Sequence, residues 1–171
     1  MFCPMESEMR RAIPGAATLS LILCVTNGPA MPGRAAAAAV EQGPAAPTVA
    51  QLIAARRAGM HMAATLLLTD IRRIVAGRED VRQHQHEPDG IALWAAAIPG
   101  LFPAGSRGES RARPEIWQNR ADFERKALDL QQAAEELARR GAAGDTAGYA
   151  EQARVVQAAC NACHTLYRQP G

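Results

Sequence analysis

Apolar positions recur at helical intervals from residue 48 onward, and the first two predicted helices come from this pattern. The first is predicted from Thr48 to Gly77. It begins with Thr48-Val-Ala-Gln51, the spacing of a capping box. Residues 78–89 are polar and contain Pro88, so the second helix is predicted to be short, from Gly90 to Ala97.

Two longer helices are predicted in the second half of the chain. The third runs from Pro114, a residue suited to a first helical turn, to Gly141. The fourth is capped by Asp145 or Thr146, and its apolar face includes both of the cysteines in this half. That face consists of Tyr149, Ala153, Val156, Cys160, Cys163 and Tyr167. A long loop, residues 102–113, precedes the third helix, and loops of this length in compact domains often have functional roles. We therefore predict an all-α fold, an antiparallel four-helix bundle.

Composition supports the helical assignment and narrows the function. Apolar residues make up 48% of the 171 residues and aromatic residues only 4%, with alanine prominent among the apolar ones. The net charge is +2, and arginine and glutamate alternate along the predicted helices. No basic patch of the kind that binds nucleic acid is predicted.

The N-terminus has the order of an export signal. Arg10 and Arg11 precede an apolar stretch over residues 12–25, and a run of small residues follows over 34–40. The apolar stretch is shorter than the roughly 20 residues of a membrane-spanning helix. We predict a cleaved signal peptide over residues 1–39, a flexible lead-in over 40–47 and the bundle over 48–171, with no stable membrane insertion after cleavage. An uncleaved membrane anchor is the alternative.

Cys160-Asn-Ala-Cys163-His164 has the C-x-x-C-H pattern of covalent haem attachment. Two thiols three residues apart lie on nearly the same helix face, where each can form a thioether with a haem vinyl group. The following His164 can then ligate the iron. The alternatives are a disulfide, two buried thiols or half of a zinc site. Zinc needs about four ligands, and the predicted mature chain has no further cysteine.

Three segments together resemble cytochrome c′, a class II c-type cytochrome: residues 160–168, the segment Ala112-Arg-Pro-Glu-Ile-Trp117, and residues 53–60 of the first helix. The resemblance covers about 120 residues. It implies one haem c near the C-terminal end of a four-helix bundle, homodimer formation and a periplasmic location.

The resemblance also implies roles for several residues around the haem. Arg56 matches an arginine near the propionates, and a guanidinium can bind a carboxylate through two hydrogen bonds. Arg57 and Arg111 occupy positions near the propionates but differ from the usual residue type. Met60 matches the residue that shields the distal haem face. Arg168 matches a basic position beside the proximal face; its alternative role is a favourable cation at a helix C-terminus.

Two functions follow, and Met60 distinguishes them. In the first, a five-coordinate haem binds nitric oxide or carbon monoxide while Met60 shields the distal face, with or without a role in electron transfer. In the second, Met60 ligates the iron opposite His164, and the protein is a low-spin carrier that serves a small redox protein. A non-haem helical interaction module is a third hypothesis. No pair of residues suggests acid–base chemistry on an organic substrate, so we do not predict an enzyme.

Overall fold

The first helical rod of the bundle runs from Val49 to Gly77 in three segments. It consists of α1 (Val49–Thr65), a π-helical stretch (Leu66–Ile71) and α2 (Arg72–Gly77). The computed structural model of the chain describes residues 45–170, so the predicted signal peptide lies outside the described residues. The predicted capping box is confirmed. Thr48 Oγ1 accepts from the Gln51 amide at 3.3 Å, and Gln51 Oε1 accepts from the Thr48 amide at 2.8 Å. The π-helical stretch was not predicted.

The second rod, α3 (His86–Ala97), begins four residues earlier than the sequence pattern predicts. The prediction treated Pro88 as a helix breaker. Pro88 in fact lies in the first turn of α3. The N–H groups of a first turn have no acceptor within the helix, so the missing N–H of proline costs no hydrogen bond there. A short 3-10 turn, Pro99–Leu101, follows α3, as the Pro99-Gly100 pair suggests.

The third rod is divided into α4 (Glu115–Gln118) and α5 (Arg120–Ala143) by Asn119, which has non-helical dihedral angles. The predicted end at Gly141 was two residues too early. Gly144, with φ of +72°, supplies the left-handed C-cap instead. The fourth rod, α6 (Thr146–Tyr167), is capped by Asp145, which accepts a hydrogen bond from the Gly148 amide at 2.9 Å. The short link between α5 and α6 makes these two helices antiparallel neighbours.

The rods pack into the predicted all-α four-helix bundle. Helices account for 77% of the described residues, and no β-strand occurs among them. α5 packs against both α3 and α6. The core is largely aliphatic, and its fully buried residues include Ile74 on the first rod and Leu137 on the third. Within residues 45–170, no helix is both long and apolar enough to cross a bilayer.

Candidate cofactor site

A cavity of about 480 Å³ lies between α1, the loop over residues 102–113 and the C-terminal end of α6. Its volume is within the range of small-molecule and cofactor sites. Of the predicted site residues, Arg56, Arg57, Met60, Arg111, Cys163, His164 and Arg168 line it. Cys160 is not part of the lining. It lies one turn before His164 on α6, half-buried, and packs against the core.

The cysteine and histidine side chains are presented by the last turns of α6. Both cysteines are free thiols. Burial raises the pKa of Cys160, and burial together with the neighbouring Cys160 raises the pKa of Cys163 to about 11. Burial lowers the pKa of His164, and Arg168 and Arg111 lower it further. At neutral pH the site therefore holds two protonated thiols and a neutral imidazole, the form of histidine that ligates metals.

The end of α6 is held in place by the loop over residues 102–113. The Arg113 amide donates to the Tyr167 carbonyl at 3.0 Å, and the Gln169 amide donates to the Arg111 carbonyl at 2.8 Å. The Arg111 guanidinium also donates to the Gln169 carbonyl, at 2.7 Å from Nη2 and 3.0 Å from Nε. These bonds bring Arg111 and Arg168 to the same edge of the cavity.

Arg56 is 5% exposed, and its main contacts are with the same loop and with the 3-10 turn just before it. Nε donates to the Leu101 carbonyl at 2.7 Å, Nη1 donates to the Ser106 carbonyl at 2.8 Å, and Nη2 donates to Ser106 Oγ. Its guanidinium carbon lies 4.0 Å from the centroid of the Phe102 ring. Because a guanidinium has five N–H groups, two remain for a further acceptor in the cavity. Sequence reasoning missed this attachment to the loop, because the acceptors are mostly main-chain carbonyls.

Met60 lies half-buried on α1 and lines the cavity together with His164 of α6. The backbone beside it is set by Gly59. A Cβ atom at residue 59 would lie 2.1 Å from Cζ3 of Trp94, a distance that real side chains do not reach. Gly59 therefore lets the Trp94 indole of α3 pack directly against α1 next to Met60.

An aromatic wall closes the inner side of the cavity. Phe102 and Phe123 have ring centroids 5.1 Å apart, and Phe123 and Tyr167 have centroids 5.3 Å apart, both pairs edge to face. The Tyr167 hydroxyl donates to Asp122 Oδ2 at 2.6 Å. Burial, with a further contribution from this hydrogen bond, raises the pKa of Tyr167 to about 12. Sequence analysis placed Tyr167 on the correct helix face, but it did not identify Phe102 or Phe123 as site residues.

The chemistry of the lining fits haem. Its interior is apolar and aromatic, whereas its charged groups are four arginines, Arg56, Arg57, Arg111 and Arg168, and no Asp or Glu of the described chain lines it. A haem has an apolar macrocycle and two carboxylates, which match this division. Among residues 45–170 there is no cluster of three or more His, Cys, Asp or Glu side chains placed to hold a metal ion. The zinc alternative therefore has no support in this part of the chain.

Comparison with known proteins identifies the family. A family model described as Cytochrome C' matches residues 51–168, which is more than half of the chain. The chain belongs to the cytochrome c′ family. Membership supports a c-type haem protein. Haem c is accordingly its cofactor class.

Three similar proteins place the chain within this family. It is 40% identical over 78 residues to cytochrome c-556 of Agrobacterium tumefaciens (strain B2A), a match that spans 46% of this chain and 63% of that relative. Cytochrome c′ from Thermochromatium tepidum has the same fold, with a TM-score of 0.68, 29% identity, and coverage of 74% of this chain and 100% of that one. A nitric oxide complex of a cytochrome c prime variant from Alcaligenes xylosoxidans has the same TM-score, 0.68, with 25% identity and the same coverage of both chains.

Proposed function

We propose that this cytochrome c′ family member transfers electrons through one haem c, attached at Cys160 and Cys163 and ligated by His164 and Met60. The main support is that Met60 and His164, which are about a hundred residues apart in the chain, line the same cavity from two different helices. An imidazole and a thioether are the iron ligands of electron-carrying c-type cytochromes, and His164 and Met60 would supply them.

The other residues of the site have positioning roles in this proposal. The two propionates would pair with arginines among Arg56, Arg57 and Arg111, and Arg168 would lie beside the proximal face. The aromatic wall excludes water from the inner face. When bound, haem supplies a one-electron couple whose potential methionine ligation raises. Helical spacing supports the attachment chemistry, because the two cysteines of C-x-x-C on α6 lie on nearly the same helix face.

The proposal includes export to the periplasm. Residues 1–39 would be removed as the signal peptide, leaving residues 40–47 as a lead-in to the haem-binding bundle over 48–171. Cys160 and Cys163 would then be the remaining cysteines of the mature chain. Occupation by haem would protect them from forming a disulfide in that oxidising compartment.

Optical spectra of Met60→Leu and Met62→Leu test the ligation. Met62 is a matched control two residues along α1, because it is 43% exposed and does not line the cavity. We expect wild type and Met62→Leu to be low-spin in both oxidation states and to resist carbon monoxide. Met60→Leu should become high-spin and bind carbon monoxide when reduced. A high-spin, carbon monoxide-binding wild type would contradict the proposed ligation by Met60.

That contrary result would support the second candidate function, nitric oxide and carbon monoxide binding at a five-coordinate haem. The structural relative solved as a nitric oxide complex favours it. In this case Met60 would shield the distal face without ligating the iron. Neither function requires an acid–base pair that acts on an organic substrate, and we propose no enzymatic activity.

We also propose that the protein forms a homodimer through α1 and α3. Leu93 of α3 is 75% exposed and Met62 of α1 is 43% exposed, large values for apolar side chains. α1 and α3 pack against each other, so these residues can belong to one apolar surface.

A further inference from the structure

Four exposed arginines around the cavity form no ion pair, as is also true of the exposed Arg72 and Arg78 elsewhere in the described chain. We call Arg57, Arg107, Arg111 and Arg168 the cationic rim; all four are exposed, and all but Arg107 line the cavity. None of the four lies within 4.0 Å of a carboxylate oxygen in the described part of the chain. Seven other arginines do form such ion pairs: Arg73, Arg82, Arg120, Arg125, Arg139, Arg140 and Arg154.

Arg107 belongs to the rim through its neighbour in the loop. Gly108, with φ of +49°, packs so closely on α1 that a Cβ atom there would lie 2.8 Å from Cδ1 of Ile53. Ile53 lines the cavity, so this contact places the backbone of Arg107 close to the lining, and the Arg107 side chain is exposed. The loop over residues 102–113 contains three arginines, Arg107, Arg111 and Arg113, and one acidic residue, Glu109.

The positive charge at the mouth exceeds what the cofactor would neutralise. A haem has two propionates, whereas four guanidiniums line the cavity and Arg107 stands beside it. This surplus of positive charge lies at the cavity mouth, where electrons would enter or leave the haem. Unpaired arginines at one edge of a protein create a local positive potential even when its net charge is only +2.

We propose that the cationic rim is the docking surface for an acidic redox protein. This inference rests on the proposed function. Complementary charge would hold the partner's redox group close to the cavity mouth and raise the association rate. The rim surrounds a concave opening with apolar Ile53 and Phe102 inside it, which suits a protein partner with an apolar centre and an acidic margin. A flat or extended basic face would instead suit a membrane or nucleic acid.

Charge reversal at the rim tests this in the haem-loaded protein. Arg107→Glu is the main variant, because its exposed side chain lies outside the cavity lining. Arg139→Glu is the matched control: its side chain is 65% exposed, and it lies about 24 Å beyond Phe123 along α5. The probe is flavodoxin, an acidic flavoprotein, which in its reduced form passes one electron to the ferric haem. Stopped-flow absorbance measures this reaction at low and high ionic strength.

We expect Arg107→Glu to slow reduction about fivefold at low ionic strength, and Arg139→Glu to change it little. High salt should remove the difference. As a readout independent of electron transfer, oxidised flavodoxin should shift amide resonances of the loop over residues 102–113 in the ferric protein. These shifts should weaken in Arg107→Glu. Equal effects of the two variants, or resonance shifts confined to α5, would overturn the proposal.

Two further outcomes separate the explanations. Vesicles of phosphatidylglycerol and phosphatidylcholine serve as the membrane probe. If they bind the protein through Arg107 at physiological salt while flavodoxin does not, the rim is a membrane surface and the proposal is wrong. Failure of the proposed function would be seen in the optical spectrum of the wild type before any docking experiment, either as the absence of a Soret band or as a high-spin haem that binds carbon monoxide. Its failure is therefore distinguishable from failure of the docking surface.

Discussion

Replacing Arg56 by methionine should destabilise the protein, because Arg56 attaches the loop over residues 102–113 to α1. Methionine keeps much of the side-chain volume, so the change mainly removes hydrogen bonds and charge. Three donated hydrogen bonds contribute about 1 kcal/mol each. The guanidinium contact with the Phe102 ring contributes about 1 kcal/mol more. Removing the buried guanidinium also removes its desolvation cost, which offsets about 1 kcal/mol of the loss. The expected loss of unfolding free energy is about 3 kcal/mol.

Urea unfolding followed by far-UV circular dichroism measures this loss, and thermal scans should show a fall in Tm of about 10 °C. Arg57→Met is the control on the next residue. Its guanidinium is exposed, and its one hydrogen bond, to the Glu109 carbonyl, is long at 3.4 Å, so the change should cost less than about 0.5 kcal/mol. If the two variants were equally destabilised, the loop would not depend on Arg56 and this reasoning would be refuted.

Three further predictions concern the distal side, the tyrosines and the subunit contact. Gly59→Ala should force Trp94 away from α1 and lower the free energy of unfolding by about 2 kcal/mol through overpacking. It should also weaken methionine ligation, as seen in the optical spectrum. An unchanged spectrum and an unchanged stability would contradict the close contact. Tyr149 and Tyr167 have pKa values raised to about 12, chiefly by burial. Their contribution to stability should be complete below the unfolded value of about 10 and be lost as pH rises from about 10 to 12, so absorbance titration showing phenolate near pH 10 in the folded protein would refute it. Leu93→Glu should convert a dimer to a monomer in sedimentation velocity, and an unchanged dimer would place the interface elsewhere.

Local sequence signals predicted the start of a helix correctly where a single capping residue determines it. The Thr48 capping box and the Asp145 cap both form as expected, because each depends on residues within one turn. Pro88 misled the prediction, because proline ends a helix in its interior but is tolerated in the first turn. The break at Asn119 and the π-helical stretch have no comparable local signature.

The part of the site whose functional residues are adjacent in the sequence was predictable. Cys160, Cys163 and His164 form a contiguous motif, and the family resemblance brought Met60 and the arginines to the same place. Long-range contacts were not predictable. The acceptors of Arg56 lie 45 and 50 residues away, in a short 3-10 turn and the irregular loop after it, and the hydrogen bond between Tyr167 and Asp122 joins residues 45 apart. Hydrophobic periodicity along the sequence does not predict such long-range hydrogen bonds.

The central claim is that one haem is covalently bound through Cys160 and Cys163. Intact-protein mass spectrometry after denaturation tests it most directly, on full-length protein expressed with the cytochrome c maturation machinery. The account predicts the mass of the mature chain plus one haem, and the loss of this addition in a Cys160→Ala, Cys163→Ala double variant. A wild-type mass without haem, or with a disulfide in its place, would contradict the account.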